Sequence, residues 1–379
     1  MVVAHHVSDA LRLSFAMFWQ VLWPLALGFL LSGVIATVVS RQAVSRALGR
    51  DTPGSFGRAV ALGAASSSCS YAAVAVARAL FRKGATLGNA IIFEFASTNL
   101  VIELGLVLLF LLGWQFLTAE LVGGLLMVVI LAVLFRLTLR PRLVDAARRQ
   151  AERGLVGRME GHAAMDMSVT GGPVLRRLLS DRGRTAVSQN FVMNVYSVWT
   201  DIALGFLISG ALGAWVPDSW WQKVFLTGHG GVTEVWGALV GPLLAVVSFV
   251  CSVGNVPLAA VLWRGGISFG GVIAFVFADL IIIPILDMYR KYYGSEVTRY
   301  LLVTSYATMV LAGLAVGGVF QLAGAVPADR NVSVFQTAVS WNADTFLDIG
   351  FLVIVAAVLV RFVRTGGIAM LRMMNVGAA

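Results

Sequence analysis

Residues 66–103 read SSSCSYAAVAVARALFRKGATLGNAIIFEFASTNLVIE. The stretch is apolar, yet it is not one plain span. A Ser/Cys cluster breaks it early, Arg82-Lys83-Gly84 divides it, and Glu94, Asn99 and Glu103 lie in its second half. From Ser248 the chain says nearly the same again: SFVCSVGNVPLAAVLWRGGISFGGVIAFVFADLIIIPIL. Laying Cys69 on Cys251 aligns the copies without a gap. Ser70, Arg82, Gly84 and Gly88 then fall on Ser252, Arg264, Gly266 and Gly270, and Ile91, Phe93, Phe95 and Ala96 on Ile273, Phe275, Phe277 and Ala278. Upstream, LALGFLLSG ending at Gly33 matches IALGFLISG ending at Gly210. Two apolar segments can look alike by chance, but matched Cys, Arg and Gly in one register are not expected of chance. An internal repeat in a membrane chain points to a transporter whose site lies at the repeat interface and at helix breaks.

Composition supports the membrane reading. Of 379 residues, 59% are hydrophobic and 12% charged, where a soluble domain carries about 25% charged. Apolar runs of about 20 residues recur, long enough to cross a bilayer. The net charge of +9 comes from loop arginines, as topology and anionic lipid require, and is not a nucleic-acid signal. Two Cys in apolar sequence make no disulfide framework, and no cleavable secretory signal is expected. No CxxC, HExxH, P-loop or dinucleotide fingerprint occurs in a suitable context, so neither an enzyme nor a cofactor is expected.

The fold expected is all-α and polytopic, with two inverted-topology repeats, each holding spans and a broken, re-entrant helical hairpin that bears a Cys. The first membrane repeat covers 1–139, a basic cytoplasmic loop 140–186, the second repeat 187–322, and an external loop, last span and tail 323–379. Charge distribution chooses the hairpins. If the broken segments crossed fully, Arg41, Arg46, Arg50 and Arg58 would lie outside with several more; as hairpins they leave only Arg12, Lys223, Arg264 and Arg330 there. Seven full spans, an external N-terminus and a cytoplasmic C-terminus follow. Hairpin arms of about 11 to 13 residues reach roughly mid-bilayer.

The hairpin tips are the first candidate site: Ser67, Ser68, Cys69 and Ser70 in one copy, Cys251, Ser252 and Asn255 in the other, with Asn99 nearby. Hydroxyls, thiols, an amide and helix ends there suit substrate binding; as small residues they equally suit close helix packing. Cys69 and Cys251 are candidate soft-metal or metalloid ligands, or small buried hydrophobes. Glu94 and Asp279 lie about 13 and 18 Å into their spans and are candidates for proton or ion coupling, or for internal pairs. Asp287, before Tyr289-Arg290-Lys291, belongs at an interface, as Glu103 does. Met159–Met167, with His162, holds soft ligands on what reads as plain loop. Trp215, Trp220, Trp221, Tyr289, Tyr292 and Tyr293 suit interfacial belts.

The paired pattern of Cys-Ser, a small-residue helix, Arg-x-Gly and Gly-x-x-Ile-x-Phe-x-Phe-Ala resembles a bacterial permease family that includes YraQ-like proteins and ArsP-type organoarsenical efflux permeases. The resemblance covers both repeats. It implies an inner-membrane secondary transporter exporting trivalent methylated or aromatic arsenicals, with Cys as binding groups. First copies in ArsP-like members tend to carry a second Cys and a Pro, where this chain has Ser70 and Ala75. The reading of the residues leaves three classes open: a permease for a small molecule or ion, a membrane thiol oxidoreductase using Cys69 and Cys251, and a scaffold subunit. The missing resolving Cys argues against the second and the intramembrane acids against the third.

Overall fold

The computed structural model describes residues 2–38, 48–66, 70–82, 84–151, 169, 173–248, 252–330 and 343–376. Ser67, Ser68, Cys69 and Cys251 lie outside the described residues, and so does the Met159–Met167 segment. The described residues form helices and connections with no strand. In chain order the helices are α1 (Val2–Val38), α2 (Pro53–Ser66), α3 (Ser70–Arg82), α4 (Leu87–Asn99), α5 (Ile102–Leu111), α6 (Trp114–Thr138), α7 (Pro141–Ala151), α8 (Val174–Leu179), α9 (Asp181–Trp215), α10 (Asp218–Val224), α11 (Gly231–Ser248), α12 (Ser252–Arg264), α13 (Phe269–Val276), α14 (Ile283–Tyr293), α15 (Ser295–Leu322), α16 (Ala343–Arg364) and α17 (Gly367–Val376). A 3-10 turn, Phe277–Leu280, extends α13. Leu87–Leu111, Trp114–Thr138, Ser295–Leu322 and Thr345–Arg364 are long and apolar enough to cross a membrane, and so is the bent pair Phe269–Leu280 and Ile283–Tyr293. At 37 and 35 residues, α1 and α9 are longer still. The chain is an all-α polytopic membrane protein.

The repeat is carried by every one of the first six helices. The offset that lays Cys69 on Cys251 lays α3 on α12 end for end, α2 on α11, α4 on α13 with its 3-10 turn, α5 on α14 and α6 on α15. Two of these equivalent pairs, α1 with α9 and α6 with α15, cross antiparallel. Gly33 of α1 lies against the backbone of Val187 and Phe191 in α9, and its counterpart Gly210 lies against Ala10 and Ser14 in α1. An added Cβ would sit 3.1 Å from Val187 O at the first site and 2.6 Å from Ala10 O at the second. The same contact made twice with roles exchanged is the mark of a two-fold axis, and antiparallel partners place that axis across the helices rather than along them. At the second crossing, Gly123 of α6 meets Val316 of α15, while Thr138 meets the Tyr300 hydroxyl at 2.9 Å.

The end of each broken segment lies beside its own beginning. Thr86 caps α4 by accepting from Asn89 N at 3.2 Å, gives its own N–H to Leu48 O at 3.2 Å, and donates its hydroxyl to Asp51. Asn89 donates to Leu48 O at 2.9 Å and Arg50 O at 2.8 Å. The exit of α3 is thereby tied to the entry of α2. In the second half Ser268 caps α13 and reaches Glu234 O at 3.3 Å, tying the exit of α12 to the start of α11. Both exits turn on a left-handed glycine, Gly84 at φ 104° and Gly266 at φ 105°, a conformation costly for any residue with a Cβ.

The two spans that follow the hairpins are themselves broken, where the sequence reading expected each to be continuous. The first breaks at Leu100-Val101 and the second at Ile281-Ile282, where the axis bends by 42°. Local chemistry accounts for both. Ser97, Thr98 and Asn99 turn back onto the carbonyls of Glu94 (2.8 Å), Phe95 (3.3 Å) and Phe95 (3.2 Å), competing with the helix ladder. Pro284, in the first turn of α14, has no N–H to continue the ladder from the 3-10 turn.

Candidate functional site

Ser70 is the first residue of α3, at the tip of the first hairpin. Its hydroxyl donates to Asp279 Oδ2 at 2.6 Å. Asp279 lies in the 3-10 turn of the second half, beside the break, and is wholly buried. Asn99, the last residue of α4, brings Nδ2 to 3.5 Å from Asp279 Oδ1. The tip of one half and the broken span of the other therefore meet on one carboxyl group. The counterpart of Asp279 is Ser97, so the site is asymmetric although the scaffold is not.

Glu94 lies on α4 before its break and is equally buried. Tyr289 of α14 donates its hydroxyl to Glu94 Oε1, while Oε2 has no partner among the described residues. Tyr289 was expected in an interfacial belt; it is 2% exposed and packs on Tyr293, itself wholly buried. Tyr292 and Trp221 are buried as well, whereas Trp215 and Trp220 are exposed. An aromatic ring with one polar tip suits a buried acid as well as a membrane surface, and sequence does not separate the two.

Ser252 and Asn255 are buried in the first turn of α12, the equivalent arm of the second hairpin. Ser70, Asn99 and Asp279 are thus brought together, Glu94 stands beside them on α4, and Ser252 and Asn255 occupy the other arm. Asp287 pairs with Arg290 and Lys291, each at 2.7 Å, on a partly exposed face, as its sequence neighbours suggested. Glu103 is buried where α5 crosses Gly28 of α1.

Glu120 on α6 escaped the sequence reading. It is 1% exposed, and neither carboxyl oxygen has a hydrogen-bond partner among the described residues. The one available signal was a lone acid two turns into an apolar run. Among the described residues no ion pair reaches Glu94, Glu120 or Asp279, and no three His, Cys, Asp or Glu side chains converge to hold a metal ion. A buried carboxylate without a nearby cation calls for a proton or a cationic ligand. A cavity of about 730 Å³ between α1, α9 and α16 is lined by apolar groups such as Phe18, Phe29 and Phe206, and none of these acids borders it.

Both hairpin exits carry the same lock. Arg148 stacks over Phe81 at 4.6 Å, and Arg330 over Trp263 at 4.1 Å. These pairs are related by the offset that carries Cys69 onto Cys251. Arg330 also donates to the carbonyls of Trp263 (3.0 Å) and Ile267 (2.8 Å). On the Arg148 side, buried Arg78 donates to Ala151 O at 2.9 Å and lies 4.5 Å from the Tyr292 ring centre.

Comparison with known proteins agrees with a transport architecture. Residues 6–318 match the family ArsP_1, described as "Predicted permease". Over 339 residues the chain is 56% identical to "Putative permease Rv2963" of Mycobacterium tuberculosis, covering 89% of this chain and 84% of that protein. No solved structure matches.

Proposed function

Because the chain belongs to the ArsP_1 family of predicted permeases, we propose that it is a secondary-active exporter of the inner membrane. Its cargo is a soft metalloid or small thiol-reactive solute of the trivalent organoarsenical type, bound between the two hairpin tips and coupled to protons at Glu94 and Asp279. The observation that carries this reading is the Ser70–Asp279 hydrogen bond, which joins the tip of one half to the broken span of the other.

The hairpins are re-entrant in this reading, one from each side, within seven spans: α1, α4–α5, α6, α9, α13–α14, α15 and α16. Their tips lie at mid-depth, where irregular backbone is tolerated only inside protein or along a cavity. Cys69 directly precedes Ser70, and Cys251 directly precedes Ser252. Thiolates favour soft acceptors, so one Cys in each tip sequence suits a trivalent arsenical better than a hard cation.

Protonation of Asp279 supplies the coupling. An ionised carboxylate only accepts, and so holds both Ser70 and Asn99. A protonated one donates from one oxygen: on Oδ2 this turns the Ser70 bond round, and on Oδ1 it opposes the Asn99 amide, which can only donate, so the contacts across the halves are remade. One proton spent on Asp279 thereby loosens the contact between the halves, the step an alternating-access transporter needs.

The test is thermal denaturation of the purified protein with a methylated trivalent arsenical, arsenite, Cu(I), Zn(II) or small anions. A ligand of the folded state raises the midpoint by mass action. The expected result is a rise with the methylated arsenical that disappears in Cys69→Ser/Cys251→Ser. A rise that survives loss of both thiols overturns the thiol site; no rise with the arsenical overturns the cargo.

A further inference from the structure

We propose that Glu120 is the third member of a proton path, Glu120–Asp279–Glu94, that runs in series along the seam between the two halves. The proposal rests on the proton-coupled reading above and extends it to a residue for which that reading has no use.

The order of the three groups follows from helix contacts. Helix α6 runs antiparallel to α4 and α5. An added Cβ on Gly88 would lie 3.7 Å from Phe135, one on Gly124 2.7 Å from Leu100, and one on Gly105 3.0 Å from Leu117. Glu120, one turn before Gly124, therefore stands level with the first turn of α5, beyond the break. Asp279 stands at the break, beside Asn99. Glu94 lies on the near side, five residues before Asn99 along α4. From Glu94 to the level of Glu120 is about 13 Å at the helical rise, and Asp279 lies between them.

The direction of Glu120 follows from its own helix face. Phe116, Glu120, Gly123 and Gly124 share one stripe, being three or four residues apart. Phe116 packs on Trp263 at 5.2 Å and on Phe269 at 4.8 Å. An added Cβ on Gly123 would meet Phe277 at 2.9 Å. Glu120 is held between these contacts, turned toward α13 and the 3-10 turn that carries Asp279.

No other charged group of the packed helices takes this place. On α15, Tyr300 meets Thr138 at the far end of α6 with Glu296 and Arg299 beside it in sequence, and Tyr306 donates to Leu239 O at 2.9 Å. On α5, Glu103 packs against Gly28 of α1. On α4 the only acid is Glu94, and α13 has no ionisable residue. The absence of a three-ligand metal cluster among the described residues favours acids spaced in series over a cation cage. Each transfer moves one proton from a carboxylic acid to the next carboxylate, directly or through water, and no electron moves.

Infrared difference spectroscopy of the full-length protein, titrated with pH in H₂O and D₂O without cargo, tests the path. The wild type is expected to show carboxylic-acid C=O bands that shift in D₂O, one of which is lost in Glu120→Gln. In Asp279→Asn the Glu120 band should persist with a displaced midpoint. If Glu120→Gln does not fold, Glu120→Asp, which keeps the acid but displaces its C=O band, assigns the band, and the Asp279→Asn titration then carries the test. An unchanged spectrum in Glu120→Gln, a Glu120 band that does not exchange with D₂O, or a midpoint indifferent to Asp279→Asn would overturn the proposal. Because no cargo is present, such a failure would leave the arsenical test to stand or fall by itself.

Discussion

Ser70 and Asp279, 209 positions apart in sequence, share a buried hydrogen bond of 2.6 Å. Ser70→Ala removes the donor and leaves an acceptor buried, at a cost of about 1–3 kcal/mol. Asp279→Asn weakens the same contact from the other side. The double variant should be less destabilised than the sum of the two by about 1 kcal/mol. Denaturation midpoints in detergent check this; strict additivity would mean that the two residues do not interact.

The α1–α9 crossing predicts a sharp contrast between glycines. Gly210→Ala would drive a methyl group into Ser14 and the Ala10 carbonyl, and backbone cannot yield cheaply. A loss of about 1–3 kcal/mol is expected. Gly318→Ala on α15 meets nothing within 4 Å and should be neutral or gain up to about 1 kcal/mol from helix propensity. Both are read from thermal midpoints.

At the second hairpin exit, Arg330→Ala loses a stacked cation and two carbonyl bonds. About 1–2 kcal/mol should be lost. Arg330→Lys keeps the charge but not the planar fork, so it should fall between wild type and Arg330→Ala. A Lys variant as stable as wild type would remove the guanidinium from the lock.

Arg361 donates to Asp181 Oδ1 at 2.6 Å, tying the end of α16 to the start of α9. The hydrogen bond from Arg361, and then its charge, hold the Asp181 carboxyl below the usual aspartate range. A depressed folded-state value means that the contribution is present above the unfolded aspartate range and is lost as pH falls through the folded one. The pair is exposed, so the effect is small. Wild type and Asp181→Asn should differ slightly at neutral pH and converge in acid; a difference that grows on acidification would refute the assignment.

The hairpin topology predicts which face carries Arg50. In a Cys69→Ser/Cys251→Ser background, Arg50→Cys should resist an impermeant thiol reagent in intact cells and react after permeabilisation. Asp329→Cys, on the opposite face, should react at once. Ready labelling of Arg50→Cys in intact cells would contradict inverted hairpins.

The repeat was legible because matched Cys69/Cys251, Arg82/Arg264 and Gly84/Gly266 sit in one register, and Gly33/Gly210 carried it upstream. The antiparallel α1–α9 crossing in the structure rests on Gly33 and Gly210 themselves. The span breaks were harder to read. Leu100-Val101 has no Pro or Gly beside it, and the competing bonds of Ser97, Thr98 and Asn99 are visible only in three dimensions. Glu94 and Asp279 stood out as acids deep in apolar runs, but that Ser70 would meet Asp279 depends on how the halves dock. Glu120 escaped the sequence reading because its burial comes from α13 and the 3-10 turn, far away in sequence. Tyr289 was read as interfacial for want of its partner Glu94.

The most direct test of the account is uptake of a methylated trivalent arsenical into everted membrane vesicles under an imposed proton gradient. Wild type should accumulate it without ATP, lose uptake when a protonophore collapses the gradient, and lose it in Asp279→Asn and in Cys69→Ser/Cys251→Ser. Uptake that withstands the protonophore and both sets of substitutions would contradict a proton-coupled site between the hairpin tips.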